Sequence, residues 1–336
     1  MQRKISPIQY IARIVLVITS LYGCNLAAIC QHTALSVQGD SSILHLADPT
    51  IFHFKNTYYL YGTVDRNAGN GFLTYTSTDL KKWQLLNKND GYALRKGDAF
   101  GRSGFWAPQV FLHQDKFYMA YVANEQIAIA ESNSPEGPFT QIKKDSLATT
   151  GKQIDPFVFI DDDGKKYLYH VRLINGNRIF VAILNDDFSS IQPGTLRECI
   201  AAADDWENTT QARWPVAEGP TVIKHNSVYY LFYTANDFRN PDYAVGYATS
   251  NTPLGPWTKH RGNPILNKAM IGINGTGHGD FFSKGKELFY VFHTHNSNTK
   301  VGPRNTAVMK ASFKKGTKSN TDELAMVDKS FYFLKK

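Results

Sequence analysis

The chain has 336 residues, of which 42% are hydrophobic and 20% are charged, and this composition excludes a disordered or low-complexity protein. The aromatic content of 13% favours β-strands over helices. Lysine and arginine outnumber aspartate and glutamate by 37 to 29, which gives a net charge of +8. Such an excess suggests a nucleic-acid partner, unless part of it lies in a segment that is removed.

The first predicted element is an export signal. A basic pair at residues 3–4 precedes an apolar run at 14–23, which is too short to span a membrane comfortably. The segment Leu21–Cys24 resembles a bacterial lipobox, whose cysteine would be acylated; soluble secretion after cleavage nearby is the alternative. We assign residues 1–30 to a signal peptide or lipoprotein signal with a short linker. Residues 31–336 form a single domain, which we expect in the periplasm or at the cell surface.

A hairpin pattern recurs five times along the remaining chain, and such repetition is typical of a repeat architecture. Each copy has a polar start, a short apolar strand, a polar turn and an aromatic strand. The copies cover residues 48–61, 107–121, 155–169, 218–232 and 278–292.

The spacing of these copies leaves room for two further strands in each. Four of them carry a proline near the start, and these prolines stand 59, 48 and 64 residues apart. Segments 132–139 and 250–257 match almost position for position, and their Pro and Gly residues mark a turn into an outer strand. Four antiparallel strands in each of five blades predict an all-β fold, a five-bladed β-propeller. A β-sandwich of irregular hairpins is the alternative.

The starts of the inner strands carry the candidate functional residues. The first strand of each propeller blade lines the central axis, so equivalent positions face one another at one mouth of the channel. These positions hold Asp48, Ala107, Asp155, Glu218 and, loosely, His278. Crowded carboxylates are costly because like charges oppose ionisation, and a fold keeps them mainly where chemistry uses them. Three carboxylates from three blades are therefore predicted to form one site.

Such a set of carboxylates suits inverting glycoside hydrolysis, which needs two carboxylates with different pKa values, here with a third that tunes them. One stays ionised and takes a proton from water, and the other stays protonated until it donates to the leaving oxygen. The inverting arrangement needs about 6.5–9.5 Å between the two carboxyl groups. A propeller mouth can supply this span between non-adjacent blades, here the first and the fourth.

Four short motifs at these strand starts carry a family resemblance. They are Ala47-Asp48-Pro49, Trp106-Ala107-Pro108, Ile154-Asp155-Pro156 and Ala217-Glu218-Gly219-Pro220. Together with Tyr58–Thr63 they resemble glycoside hydrolase family 43, over a stretch from residue 44 to 313. The resemblance implies an inverting five-bladed propeller that acts mainly on α-L-arabinofuranosides, arabinans and β-D-xylosides. It implies that Asp48 is the general base, that Glu218 is the general acid, and that Asp155 raises the pKa of the acid and holds it in place.

The resemblance also implies contacts to substrate and metal. Arg304, in the segment 301–307, resembles an arginine that contacts the sugar in the minus-one subsite. Trp106 matches an aromatic residue beside the pocket, where a ring stacks on a sugar face. His278 matches a histidine that points into the central channel and, in many relatives, helps to hold a calcium ion largely through water. We count His278 among the substrate-binding candidates too, and no cofactor is needed for the chemistry itself.

Other conspicuous residues are assigned no catalytic role. The run Asp161-Asp162-Asp163 is interpreted as a solvated hairpin turn, and His293 and His295 as ordinary polar residues of a strand. Several aromatic residues lie in the variable connections, where propeller loops shape the pocket rim, and we expect some of them to contact sugar. They are Phe72, Phe105, Trp206, Trp214 and Phe238.

The sequence as a whole predicts an exported inverting exo-glycosidase that removes terminal α-L-arabinofuranosyl or β-D-xylosyl units from plant-type polysaccharide side chains or oligosaccharides. A β-D-galactofuranosidase or galactosidase and an endo-arabinanase are alternatives of the same fold, and a non-catalytic sugar-binding propeller is the alternative from another class. Loss of residues 1–23 would lower the net charge to +5, so we expect no nucleic-acid partner. We expect a monomer, with membrane contact only through a lipid on Cys24.

Overall fold

The computed structural model describes residues 41–147, 151–316 and 321–336. The predicted signal segment and its Cys24 lie outside the described residues. Within these ranges no helix is long and apolar enough to cross a membrane.

Strands dominate the described part of the chain. They are β1 (Ala47–Phe54), β2 (Thr57–Thr63), β3 (Gly71–Leu73), β4 (Tyr75–Ser77), β5 (Gln84–Leu85), β6 (Tyr92–Arg95), β7 (Trp106–His113), β8 (Lys116–Ala123), β9 (Gln126–Ser132), β10 (Gln153–Ile160), β11 (Lys166–Leu173), β12 (Asn177–Ile183), β13 (Arg197–Ile200), β14 (Ala217–His225), β15 (Val228–Ala235), β16 (Ala244–Ser250), β17 (Thr258–Lys259), β18 (Gly277–Lys284), β19 (Glu287–Thr294), β20 (Asn305–Lys314), β21 (Glu323–Met326) and β22 (Tyr332–Phe333). One short helix, α1 (Lys268–Ile271), and two 3-10 turns (Asn89–Gly91 and Asp205–Glu207) accompany them.

These strands form five antiparallel blades around an axis, which confirms the predicted five-bladed β-propeller. The blades are β1-β2-β4-β5, β7-β8-β9, β10-β11-β12-β13, β14-β15-β16-β17 and β18-β19-β20-β21, and β22 also pairs with β20. A small extra sheet pairs β3, which is inserted between the second and third strands of the first blade, with β6, which follows that blade in the chain. The inner strands β1, β7, β10, β14 and β18 contact one another in this order, and the ring closes where β1 contacts β18 and β19.

The second blade departs from the predicted four strands because it has three. Its fourth strand is reduced to one bridge, in which Thr140 and Glu131 exchange two backbone hydrogen bonds of 2.9 Å. Phe139, just before this bridge, is completely buried and donates its N–H to the Ala93 carbonyl of the extra sheet at 2.7 Å. The segment is thus anchored to a neighbouring hairpin, and a single residue is left to pair with β9.

Aromatic side chains fill the interfaces between neighbouring blades. The buried hydrophobic residues form five clusters, one for each pair of adjacent blades. Tyr61 and Tyr121 pack between the first and second blades, and Tyr169 and Tyr233 between the third and fourth, all completely buried. Burial of a large side chain contributes roughly 1.5–3 kcal/mol. The high aromatic content of the sequence therefore supplies the contacts that hold one blade to the next.

The hairpin turn at Asp161 joins the third blade to the fourth. The side chain of Asp161 is only 8% exposed and accepts hydrogen bonds from Lys224 Nζ (2.7 Å) and the Tyr229 hydroxyl (2.5 Å). The interpretation of this residue as part of a solvated turn is wrong, because its two partners come from the neighbouring blade. Asp162 and Asp163 in the same turn are exposed.

Candidate active site

Each inner strand begins with the same local distortion. In all five, the pairing with the second strand shifts at a β-bulge near the start. One residue in each bulge has a positive φ, a conformation that is strained for residues other than glycine. These residues are Asp48 (48°), Ala107 (46°), Asp155 (55°), Gly219 (59°) and His278 (44°). Bulges re-aim side chains next to active sites, and here all five residues line the central channel.

We predicted that Glu218 is equivalent in position to Asp48 and Asp155, but in the structure it precedes the bulge position by one residue. In the fourth blade the left-handed residue is Gly219, and Glu218 has the register position that Ala47 has in the first blade. A Cβ at position 219 would lie 2.8 Å from Cγ of His278. The fourth blade therefore carries glycine at its bulge and presents its carboxylate from the preceding residue.

Asp48 is buried, and four side chains surround its carboxylate. Thr63 Oγ1 donates to Oδ2 (2.7 Å), Arg304 Nη1 donates to Oδ1 (3.1 Å), and the Nδ1 atoms of His278 and His293 lie 3.3 and 3.4 Å from Oδ1. Burial alone would raise the pKa of Asp48, but the Arg304 guanidinium and the Thr63 hydroxyl outweigh it and hold that pKa well below its ordinary value. Asp48 is therefore ionised at neutral pH, as a general base must be.

Glu218 is equally buried, but the two side chains that donate hydrogen bonds to its carboxylate are neutral. The Tyr243 hydroxyl donates to Oε1 (2.8 Å) and Asn177 Nδ2 donates to Oε2 (2.9 Å). The pKa of Glu218 is raised to about 7, mainly by burial; the hydrogen bonds from Tyr243 and Asn177 act to lower it, and the negative charge of Asp48 acts to raise it. Near neutral pH this carboxyl group therefore retains a proton that it can donate.

Asp155 lies in the same channel mouth and is tied to the backbone that carries Glu218. Its Oδ2 accepts the N–H of Gly219 (3.2 Å) and lies 4.0 Å from Nδ1 of His278. Burial, followed by the charges of Glu218 and Asp48, raises the pKa of Asp155 well above its ordinary value. A negative charge on either member of the Asp155–Glu218 pair therefore makes ionisation of the other harder.

Arg304 is buried against Asp48, and the ring of Phe238 packs on its guanidinium group. Its Nε and Nη2 donate to Asp65 Oδ1 at 3.1 and 2.7 Å, and its Nη1 donates to Asp48. The ring of Phe238 lies 4.7 Å from the guanidinium carbon. Three of its N–H groups thus donate to carboxylates, and the contact of Arg304 with sugar stays a prediction.

His293 belongs to this site, and its interpretation as an ordinary polar residue of the strand is wrong. The side chain is completely buried, Nδ1 accepts the backbone N–H of Asp48 (3.1 Å), and the ring stacks on Tyr243 at 5.6 Å. Burial and the nearby Arg304 lower the pKa of His293 well below its ordinary value, so the ring is neutral. His295, two residues on, has Nε2 at 2.8 Å from the Phe238 carbonyl and supports that rim residue.

His278 stands at the mouth of the central channel, where the resemblance implied a calcium ion. Calcium prefers oxygen ligands. Two hydroxyl groups of the channel lining are already bonded, since Thr50 donates to Asp280 Oδ2 (2.7 Å) and Thr221 donates to the Gly279 carbonyl (2.9 Å). Among the described residues, no group of three or more His, Cys, Asp or Glu side chains is placed to hold a metal ion. The residues do not fit a directly ligated calcium, and an ion held through water stays a prediction.

Only two of the five aromatic residues in the predicted loops reach the rim. Phe72 and Phe105 are completely buried and so are not among the aromatic residues that can contact sugar, and Trp206 packs into the interface between the third and fourth blades. Phe238 covers Arg304, as described above. Trp214 is 47% exposed.

Trp106 begins the inner strand of the second blade, beside the carboxylates. It has the register position that Glu218 has in the fourth blade. The ring is half-buried against the cluster between the second and third blades. Its exposed part is compatible with the predicted sugar contact.

Four polar residues of the site were not predicted. Thr63 ends β2, Asp65 follows it, Asn177 begins β12 and Tyr243 precedes β16. In an antiparallel blade the second strand ends, and the third begins, at the mouth where the inner strand starts. A polar residue at the end of a second strand or at the start of a third strand was therefore the signal by which the sequence could have indicated these site residues.

The geometry defines the class of protein. An ionised and a protonated carboxylate at one propeller mouth form the acid–base pair of a glycoside hydrolase. The family model described as glycosyl hydrolases family 43 matches residues 42–318. The chain belongs to this family and is a glycoside hydrolase.

Three similar proteins illustrate the range of relatives. A solved structure from Bacteroides thetaiotaomicron VPI-5482, described as an endo-1,4-β-xylanase, is 42% identical with a TM-score of 0.79, and the match covers 87% of this chain and 97% of that one. A β-D-galactofuranosidase of Aspergillus niger is 25% identical over 75% of this chain and 74% of its own. An arabinoxylan arabinofuranohydrolase of Bacillus subtilis is 27% identical over 87% of this chain and 64% of its own.

Proposed function

We propose that this glycoside hydrolase is an exported inverting exo-glycosidase that removes terminal α-L-arabinofuranosyl or β-D-xylosyl units from plant-type side chains or oligosaccharides. One observation carries the proposal. Asp48 and Glu218 share one mouth, and their surroundings push their pKa values in opposite directions. Where the surroundings lower the pKa of one carboxyl group and raise that of another, the first is assigned as the base and the second as the acid.

The proposed reaction uses these two groups in one step. Asp48 accepts a proton from a water molecule whose oxygen attacks the anomeric carbon. Glu218 gives its proton to the glycosidic oxygen as the bond from that oxygen to the anomeric carbon breaks. One water is consumed, a free sugar and a shortened glycan leave, and both carboxyl groups then exchange protons with solvent. Asp155 holds the Gly219 backbone next to Glu218, and a negative charge on Asp155 raises the pKa of Glu218.

The inverting course is supported by what separates the two carboxylates. They come from the first and fourth blades, and the ring of His278 lies close to both, with Nδ1 3.3 Å from Asp48 Oδ1 and Cγ 2.8 Å from the place of a Cβ on residue 219. A retaining enzyme needs its carboxyl groups only about 5–5.5 Å apart, whereas inversion needs room for water. NMR of the first anomer released tests this assignment, because a product of retained configuration contradicts it.

The substrate assignment is supported by the activities for which two relatives are named. The Bacillus subtilis relative is an arabinoxylan arabinofuranohydrolase, and one from Bacteroides ovatus is a xylosidase/arabinosidase. Two others favour different substrates, since the Bacteroides thetaiotaomicron structure is described as an endo-1,4-β-xylanase and the Aspergillus niger relative as a β-D-galactofuranosidase. An endo-acting xylanase is therefore the second candidate. Single sugars released from branched arabinan or arabinoxylan support exo action, and long oligosaccharides from xylan support the second candidate.

The experiment combines a glycoside panel with three variants. Purified protein is assayed on aryl α-L-arabinofuranosides, β-D-xylosides and β-D-galactofuranosides. We expect Asp48→Ala and Glu218→Ala to lower the rate at least about 10²–10⁴-fold. Asp163→Ala, which removes an exposed carboxylate from a turn at the opposite end of the propeller, should leave the rate unchanged. Unchanged activity in either of the first two variants overturns the roles, and binding without turnover on every glycan favours a sugar-binding propeller.

Export, a lipid on Cys24 and a monomeric state complete the proposal. The basic and apolar pattern of the first residues supports export, and the Leu21–Cys24 segment supports acylation. Mass spectrometry of the mature N-terminus tests both, since a diacylglyceryl-modified Cys24 is expected and is absent in Cys24→Ser. Light scattering of the purified protein tests the monomer.

A further inference from the structure

We propose that Trp214 forms the platform for the leaving-group sugar, on the far side of the scissile bond from the sugar that is released. The proposal rests on the proposed function, because it needs Glu218 to protonate a glycosidic oxygen. It adds a binding subsite and a ligand class, namely a glycan whose leaving group is itself a sugar ring.

Trp214 is connected to the general acid through two hydrogen bonds. Its indole N–H donates to Asn177 Oδ1 (2.9 Å), and the amide nitrogen of Asn177 donates to Glu218 Oε2 (2.9 Å). The indole is 47% exposed, whereas Glu218 is buried. An exposed aromatic ring is thus linked through Asn177 to the group that protonates the leaving oxygen, and that oxygen belongs to the leaving sugar.

The backbone around Trp214 is held firmly at the mouth. The N–H of Asn177 donates to the carbonyl of Pro215 (2.9 Å), and Asn177 forms a parallel bridge with Val216. At Gly176 a Cβ would lie 2.5 Å from the Pro215 carbonyl oxygen, so the two segments touch too closely for a side chain. A ring that is already fixed in place loses little conformational freedom when a ligand stacks on it.

A second exposed apolar side chain lies on the adjoining turn. Ile174, between β11 and β12, is 43% exposed, and its turn contacts the Trp214–Val216 segment through Gly176. Exposed apolar groups that gather at one place mark a binding surface. Sugar rings have apolar C–H faces that stack on aromatic rings, and the indole N–H is already bonded to Asn177, so the ring itself is what remains for a ligand.

The experiment compares two substrates that share the released sugar and differ in the leaving group. One is the glycosyl fluoride of the sugar that the wild type accepts, and the other is an oligosaccharide in which that sugar is linked to a second sugar. Fluoride has no ring to stack. We expect Trp214→Ala to lower kcat/KM on the oligosaccharide about ten-fold, through KM, and to leave the fluoride rate unchanged.

Two further variants separate stacking from positioning of the acid. Trp214→Phe keeps a ring but loses the N–H bond to Asn177, so it should retain most activity on the oligosaccharide. Leu112→Ala removes an exposed apolar side chain at the opposite end of the propeller and should change neither substrate.

The outcomes distinguish this proposal from the proposed function. A wild type that hydrolyses neither substrate overturns the proposed function and the platform with it. If the wild type is active, equal losses in Trp214→Ala on both substrates, or equal losses in Trp214→Ala and Trp214→Phe on the oligosaccharide, overturn the platform alone. Unchanged oligosaccharide activity in Trp214→Ala overturns it as well.

Discussion

The hydroxyl of Tyr243 offers the sharpest test of how the acid is tuned. It donates to Oε1 of Glu218 (2.8 Å), and this bond stabilises the ionised form of a carboxyl group whose pKa burial has raised to about 7. Tyr243→Phe removes the bond and leaves the ring, which stacks on His293. The pKa of Glu218 should therefore rise further. Because the acid works only when it is protonated, the basic limb of the kcat/KM profile should move to higher pH.

The size of the shift follows from the strength of one hydrogen bond to a charged group. Such bonds contribute about 1.5–3 kcal/mol, and one pKa unit corresponds to about 1.4 kcal/mol. Asn177 still donates to the other oxygen of Glu218, so we expect the lower end of this range, a rise of about one unit. The profile reports an apparent pKa of the Asp155–Glu218 pair, since the two groups share their ionisation.

The assay is the pH dependence of kcat/KM on a glycoside that the wild type hydrolyses, measured across both limbs. Tyr169→Phe is the matched control, because this buried hydroxyl donates to the Pro253 carbonyl (2.6 Å) and not to a carboxylate. It should leave the basic limb where it is. A basic limb that stays in place or moves to lower pH in Tyr243→Phe would refute the reasoning.

Three further predictions follow from neighbouring contacts. Arg304→Gln removes the cation that lowers the pKa of Asp48, so the acidic limb of kcat/KM should move to higher pH; an unmoved limb contradicts the assignment. Gly219→Ala should lower the free energy of unfolding by about 1–3 kcal/mol more than Gly285→Ala. Both glycines have a φ near 60°, but only at Gly219 would a Cβ meet His278, and denaturant unfolding measures the difference. A water-held calcium at His278 predicts that EDTA lowers the melting temperature and that added Ca²⁺ restores it in the wild type but not in His278→Ala; a wild type that does not respond to EDTA rules the ion out.

The propeller and its three carboxylates could be predicted because repetition encodes them locally. Each hairpin can be recognised within about fifteen residues by its polar start, its apolar strand and its aromatic strand. Once five such units are recognised, closure of the ring brings their starts together, and Asp48, Asp155 and Glu218 must meet. The one-residue offset of Glu218 was missed, since its cause is the His278 ring of another blade.

The side chains that contact the carboxylates could not be predicted from the sequence, because they are far from the carboxylates along the chain. Arg304 reaches Asp48 across 256 positions, and His293 accepts its backbone N–H across 245. Asp161 was misinterpreted for the same reason, since its partners lie on the next blade.

The sequence by itself determined the repeat, the number of blades and which carboxylates converge, because strand patterns and turn residues act over short distances. The family resemblance implied which carboxylate is the base and which is the acid, but only the tertiary structure gives a physical reason for their different pKa values. A pKa depends on burial and on charges within a few ångströms, and Arg304 stands beside Asp48 but not beside Glu218. The difference in pKa between these two similar side chains is therefore a property of the closed ring.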